Sequence, residues 1–111
     1  MEFSTTERDG GVAILHLTGR LNMVAAGRLR ELIGESVAEG HPRIAVDLAN
    51  VDFIDSSGLG ALISGLKTAR RAGGDLRIAA PNEQVRLVLQ LTNMERIFTA
   101  YDSADLAFVN G

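Results

Sequence analysis

The residues best placed to do chemistry are Asp55-Ser56-Ser57-Gly58-Leu59-Gly60, two adjacent hydroxyls between an aspartate and a pair of glycines. Two chemistries suit such a run: an anion held at a helix start, or a serine nucleophile. The nucleophile needs a base in reach, and the only histidines are His16 and His41. His16 sits within the apolar run Val12–Leu17, where a satisfied structural role is expected. His41 lies in a Gly-His-Pro turn at the far end of a predicted helix. The nucleophile-elbow pattern Gly-x-Ser-x-Gly is absent.

From Gly58 to Lys67 the glycines approach phosphate-binding patterns but miss their spacing. A dinucleotide fingerprint would need glycine at Ile63, and one residue too many separates Gly60 from Lys67 for a Walker loop. Asp52 and Asp55 lack the third ligand or the histidine that a metal site or an acid/base pair would add. Capping alone would select Asp55, Ser56 and Ser57 at a helix start. Gly58 and Gly60 are another matter, because each costs about 1 kcal/mol against alanine in a helix interior, less near its end. On the outward side of the same predicted helix, Ser57, Gly60, Ala61, Ser64 and Thr68 form a strip of small residues that would admit another backbone. The strip reads as a docking face or as a mildly polar solvent face.

The elements that must position these residues follow from patterning. Asp9-Gly10-Gly11 predicts a hairpin between Phe3–Arg8 and Val12–Leu17. The second of these strands, nearly continuous in apolar residues, belongs inside a sheet with both faces covered. Asn22 caps a helix through Ala25, Leu29, Leu32, Ile33 and Val37, which Gly40 and Pro42 end. A strand at Ile44–Leu48 leads to the serine run and a second helix, with Leu59, Leu62, Ile63 and Leu66 inward and Gly73-Gly74 at its end. Leu76–Ala80 is a further strand. Pro81-Asn82 opens a third helix through Val85, Val88 and Leu89, with Asn93 supplying a left-handed residue after it. Ile97-Phe98 is predicted as a short strand, and Asp102 with Asp105 as the start of a last helix through Leu106, Phe108 and Val109. The order ββαβαβαβα predicts an α/β fold, a mixed and mostly parallel sheet with an antiparallel N-terminal edge strand and right-handed crossovers.

A chain of 111 residues forms one domain, here residues 1–111. A net charge of −3 offers no basic patch, so nucleic acid is not expected as a partner. No cysteine is present, which excludes disulfides and thiolate chemistry. No apolar run reaches the roughly 20 residues that cross a bilayer, and the N-terminus lacks the form of a signal peptide. The expectation is a cytoplasmic protein with no membrane partner.

Asp55-Ser56-Ser57-Gly58-Leu59-Gly60 after a hydrophobic strand resembles the signature of bacterial anti-sigma factor antagonists, single STAS domains. Leu17-Thr18-Gly19-Arg20-Leu21, Arg71-Ala72-Gly73-Gly74-Asp75-Leu76 and Leu91-Thr92-Asn93-Met94 resemble further segments of that family, so the likeness covers almost the whole chain. The resemblance implies a regulatory protein, not an enzyme, with Ser56 as phosphoacceptor. It implies that the unphosphorylated form binds an anti-sigma factor serine kinase and frees a sigma factor, that phosphorylation ends the binding, and that a serine phosphatase restores it. ATP and magnesium would belong to the kinase, the protein itself holding no cofactor or metal and being a monomer when free. Asp55, Ser57, Gly58, Gly60, Ala61, Ser64 and Asn22 are the expected partner contacts. Asn22 stands where the family often has Asp, and Asn93 where it often has Gly. A rival reading makes the chain a structural partner of an ABC-type transporter ATPase or another signalling scaffold. A small nucleotide hydrolase is disfavoured by the missing base and nucleotide loop.

Overall fold

Asp9-Gly10-Gly11 reverses the chain. Gly10 and Gly11 take φ of +82° and +72°, a region that glycine enters without the steric cost other residues meet. The turn joins strand β1 (Glu2–Arg8) to β2 (Val12–Leu21) in antiparallel register. In this computed structural model residues 1–108 are described. Strands β3 (Arg43–Ile54), β4 (Asp75–Ala79) and β5 (Ala100–Tyr101) add in parallel, giving the order β1-β2-β3-β4-β5 with β1 antiparallel at one edge. Helices α1 (Met23–Ala38), α2 (Ser56–Arg71) and α3 (Glu83–Leu91) connect them.

Strand alternation sorts the two faces of the sheet. Leu15, Leu17, Val46, Leu48, Leu76 and Ile78 join Leu29 and Ile33 of α1, Leu62 and Leu66 of α2, and Val85 and Leu89 of α3 in the main core. Each such side chain contributes about 1.5–3 kcal/mol when fully buried. The alternate residues Val12, Ile14 and Ala45 pack with Ala107, Tyr101 and Phe108 in a smaller cluster. All three helices therefore lie on one face, and among the described residues the other is covered by the segment around Ala104–Phe108. His16, on that second face, has Nδ1 2.8 Å from Asp47 Oδ2 and Nε2 3.1 Å from the Thr6 hydroxyl, a satisfied structural histidine.

Several expected bounds move. The strand at Ile44–Leu48 runs on to Ile54, so Val51-Asp52-Phe53-Ile54 belongs to β3. Beyond Asp47 this strand has no β4 partner and pairs with β2 alone, from Thr18↔Asn50 to Leu21↔Ile54, with register shifts on the way. Ala49 and Asn50 are exposed and interrupt the apolar run, which is why the sequence suggests an earlier end. Ile97-Phe98 is not a strand: it follows a 3-10 turn at Met94–Arg96, and the fifth strand falls at Ala100–Tyr101. Phe98 is buried, so its apolar character marks core and not sheet. The last helix reduces to a 3-10 turn at Ala104–Leu106, preceded by Ser103 without a side-chain cap. Asp105 pairs with Arg8 at 2.7 Å instead of capping. The expectation for Val109 lies outside the described residues. Asn93 does take the left-handed conformation, at φ +59°.

Asn82 ties α3 to the length of β3 that has no β4 partner. Its Oδ1 accepts the Val85 N–H at 2.9 Å, capping the helix, and its Nδ2 donates to the Val51 carbonyl at 2.8 Å. Asn82→Ala removes a cap worth about 1 kcal/mol and strands a carbonyl, for an expected loss of about 2 kcal/mol in urea unfolding. Asn82→Asp keeps the cap acceptor but not the donor and should fall between.

Candidate functional site

The site forms where two parallel strands end side by side. Leu21 of β2 stands opposite Ile54 of β3, and the next residue after each strand caps a helix. Asn22 and Asp55 adopt nearly the same backbone, φ −112°, ψ −170° and φ −111°, ψ −175°. Asn22 Oδ1 accepts the N–H groups of Val24 and Ala25 at 3.1 and 3.2 Å, and Asp55 Oδ1 accepts that of Gly58 at 2.9 Å. The Asp55 N–H donates to the Leu21 carbonyl at 3.3 Å, stitching the strand ends together.

Ser56 is thereby held as the first residue of α2 and is exposed. Asp55 takes the Gly58 amide, which leaves the amides of Ser56 and Ser57 as first-turn donors with no acceptor four residues back. A negative group added here meets those donors and the positive end of the helix dipole. It also meets Asp55 and the exposed Asp52.

The glycines divide by role. A Cβ on Gly58 would sit 2.4 Å from the Leu21 carbonyl oxygen and 2.9 Å from Leu21 Cγ. Gly58 is buried, and its missing side chain serves the contact between α2 and the end of β2, not a partner. Ala61, expected on the outward strip, is 0% exposed. The reason is the packing of α1 along α2, which turns that line of the helix into the core. Ser57, Gly60, Ser64 and Thr68 remain half-buried. The Thr68 hydroxyl donates to the Ser64 carbonyl at 3.0 Å. A Cβ on Gly60 would lie 3.6 Å from Arg30 Nη2, an ordinary contact, so the first turn of α2 carries an arginine of α1 alongside it.

Residues outside the sequence reading complete the surface. Met23 and Val24, directly after Asn22 in the first turn of α1, are 74% and 85% exposed. Their signal was available: both are apolar yet fall outside the stripe of Ala25, Leu29 and Ile33. Arg20 lies over the Phe53 ring at 4.2 Å, pairing the last turns of β2 and β3. A cleft of about 610 Å³ lined by Met1, Phe3, Arg20, Asn22, Val24 and Arg28 opens beside α1. His41 lies beyond the other end of α1, with Nε2 3.7 Å from Glu7. Glu7, Glu39 and His41 bring one ligand atom each within 4.8 Å of one another, away from Ser56.

A mixed five-stranded sheet with helices on one face, and a capped serine at the end of its central strand, defines a class. The chain belongs to the STAS domain family, whose sequence pattern matches residues 4–107. Within it, the chain is 36% identical to a Thermotoga maritima protein provisionally named an anti-sigma factor antagonist, over 93 residues covering 83% of this chain and 82% of that one. The anti-sigma F factor antagonist of Paenibacillus polymyxa is 29% identical over 98 residues, 87% of this chain and 84% of that one. A crystal structure of a Thermotoga maritima protein under the same provisional name superposes with a TM-score of 0.86 at 33% identity, covering 95% of this chain and 90% of that one. These relatives bear the names of regulators, not of enzymes. Among the described residues no helix is long and apolar enough to cross a membrane.

Proposed function

We propose that this protein is an anti-sigma factor antagonist whose docking surface is switched by phosphorylation of Ser56. The observation that carries this reading is the placement of Ser56: an exposed hydroxyl on the first residue of α2, fixed by the Asp55 cap and flanked by exposed Met23 and Val24 on the neighbouring helix start. Exposed apolar side chains beside a modifiable hydroxyl suit a protein surface better than a reaction centre. The names of the relatives support an anti-sigma factor as the partner.

In this mechanism the unmodified protein docks through Ser56, Ser57 and the start of α1, and the anti-sigma factor supplies ATP, magnesium and phosphoryl transfer. The phosphate adds about −1.5 to −2 charges at pH 7. At the helix start that charge is tolerated, whereas inside a closed interface it is a desolvated dianion beside Asp55. Release follows without unfolding. A serine phosphatase then returns the protein to the binding form.

The test is incubation with anti-sigma factor kinases and ATP, read by phosphosite mapping. Phosphate on Ser56, lost in Ser56→Ala, is the expected result; uptake on Ser57 would overturn the assignment. If the protein binds a transporter ATPase and no kinase modifies it, the scaffold reading replaces this one.

A further inference from the structure

A cleft at the pole of the molecule opposite Ser56 is lined by three arginines. Arg43 begins β3, Arg70 lies in the last turn of α2 and Arg77 stands in β4. With Gly73, Gly74, Asp75 and Phe108 they line its volume of about 370 Å³. Asp75 is the one acid in that lining, accepting from Arg70 Nε at 3.4 Å and from Arg77 Nε at 3.2 Å. Three guanidinium groups less one carboxylate leave two positive charges in excess.

Two of the guanidiniums are held in place. Arg77 lies over the Phe108 ring at 4.4 Å and donates from Nη1 to the Ala107 carbonyl at 2.7 Å. Arg43 lies over the same ring at 5.1 Å. Its Nη1 reaches the Gly10 carbonyl only at 3.5 Å, and its Nη2 is buried with no hydrogen-bond partner among the described residues. A buried cationic donor without an acceptor is unfavourable, and native structures seldom leave one. The negative end of the α2 dipole also faces this pole, but Arg70 and Arg71 already answer it.

We propose that this cleft binds a small phosphate-bearing anion, with Arg43 and Arg77 as a preset fork and the more exposed Arg70 closing over it. Guanidinium groups match tetrahedral oxyanions through paired N–H donors, and Phe108 restrains two of them before the ligand arrives. A helix of 16 residues, about 24 Å long, separates the cleft from Ser56. The proposal is therefore independent of the docking reading, and either can fail alone.

The test is amide NMR titration of the full chain with pyrophosphate, with chloride balanced to constant ionic strength, and a parallel arm with ADP. Saturable shifts at Gly73, Gly74 and Asp75 are expected. Arg43→Gln should weaken binding about tenfold and Arg70→Gln about threefold, with Arg71→Gln, outside the lining, unchanged. Should Arg43→Gln fail to fold, Arg70→Gln decides. Tighter binding of ADP than of pyrophosphate assigns the site to a nucleotide, and equal binding to the diphosphate alone. Shifts that do not saturate, that persist equally in both lining variants, or that appear with ADP and not at all with pyrophosphate would overturn the proposal.

Discussion

Ser56→Asp is expected to weaken binding to the anti-sigma factor at least about 100-fold, which corresponds to about 2.7 kcal/mol, while moving the melting temperature by no more than about 3 °C. The two readouts separate because the same charge meets two environments. In the free protein it lies in solvent at the start of α2, where the helix dipole favours an anion by about 0.3–1 kcal/mol and Asp52 and Asp55 offset part of that gain. In the complex it is stripped of water against a partner. Ser56→Ala should bind within a few-fold of wild type. Isothermal titration with the partner and thermal unfolding of each variant check both halves, and a Ser56→Asp protein that melts many degrees lower would show that charge acts through the fold.

Gly58→Ala should cost about 2 kcal/mol or more in urea unfolding, and Gly60→Ala, two residues on, should be neutral or stabilise by up to about 1 kcal/mol. Helix propensity alone predicts the same gain for both. The difference lies in what the new methyl meets: the Leu21 carbonyl at 2.4 Å for Gly58, against nothing closer than the tip of Arg30 at 3.6 Å for Gly60. A backbone oxygen cannot swing aside as an arginine can, so α2 must shift away from β2. Gly58→Ala should also weaken partner binding, because the Asp55 cap and the position of Ser56 move with it. Equal effects of the two substitutions would show that the close approach at Leu21 relaxes freely.

What the sequence makes legible depends on whether a residue's reason is local. Asn22, Asp55 and Asn82 are caps by residue type and spacing, and all three cap. Asp9-Gly10-Gly11 and Asn93 carry their backbone conformations in their identities. The parallel pairing beyond the opening hairpin, with the antiparallel strand at the edge, follows from the alternation of elements. Gly58 and Gly60, by contrast, look alike in sequence, and only the approach of Leu21, distant in the chain, tells them apart. Ala61 fails for a similar reason: a small residue on a helix reads as open surface until the side of α1 is laid along it. The tail of β3 is hidden because Ala49 and Asn50 break its pattern, and its pairing comes from β2. Phe98 is apolar for the core, which periodicity over two residues cannot distinguish from a strand.

That tail has a further consequence. From Asn50 to Ile54 the strand has β2 as its only strand partner, yet it ends in a junction fixed by the Asp55–Leu21 hydrogen bond and by a glycine with no room to move. The loop that presents Ser56 is preorganised like the rim of a rigid socket. Docking there costs little ordering entropy, so affinity is set by the contacts themselves, and one added phosphate can dominate the balance.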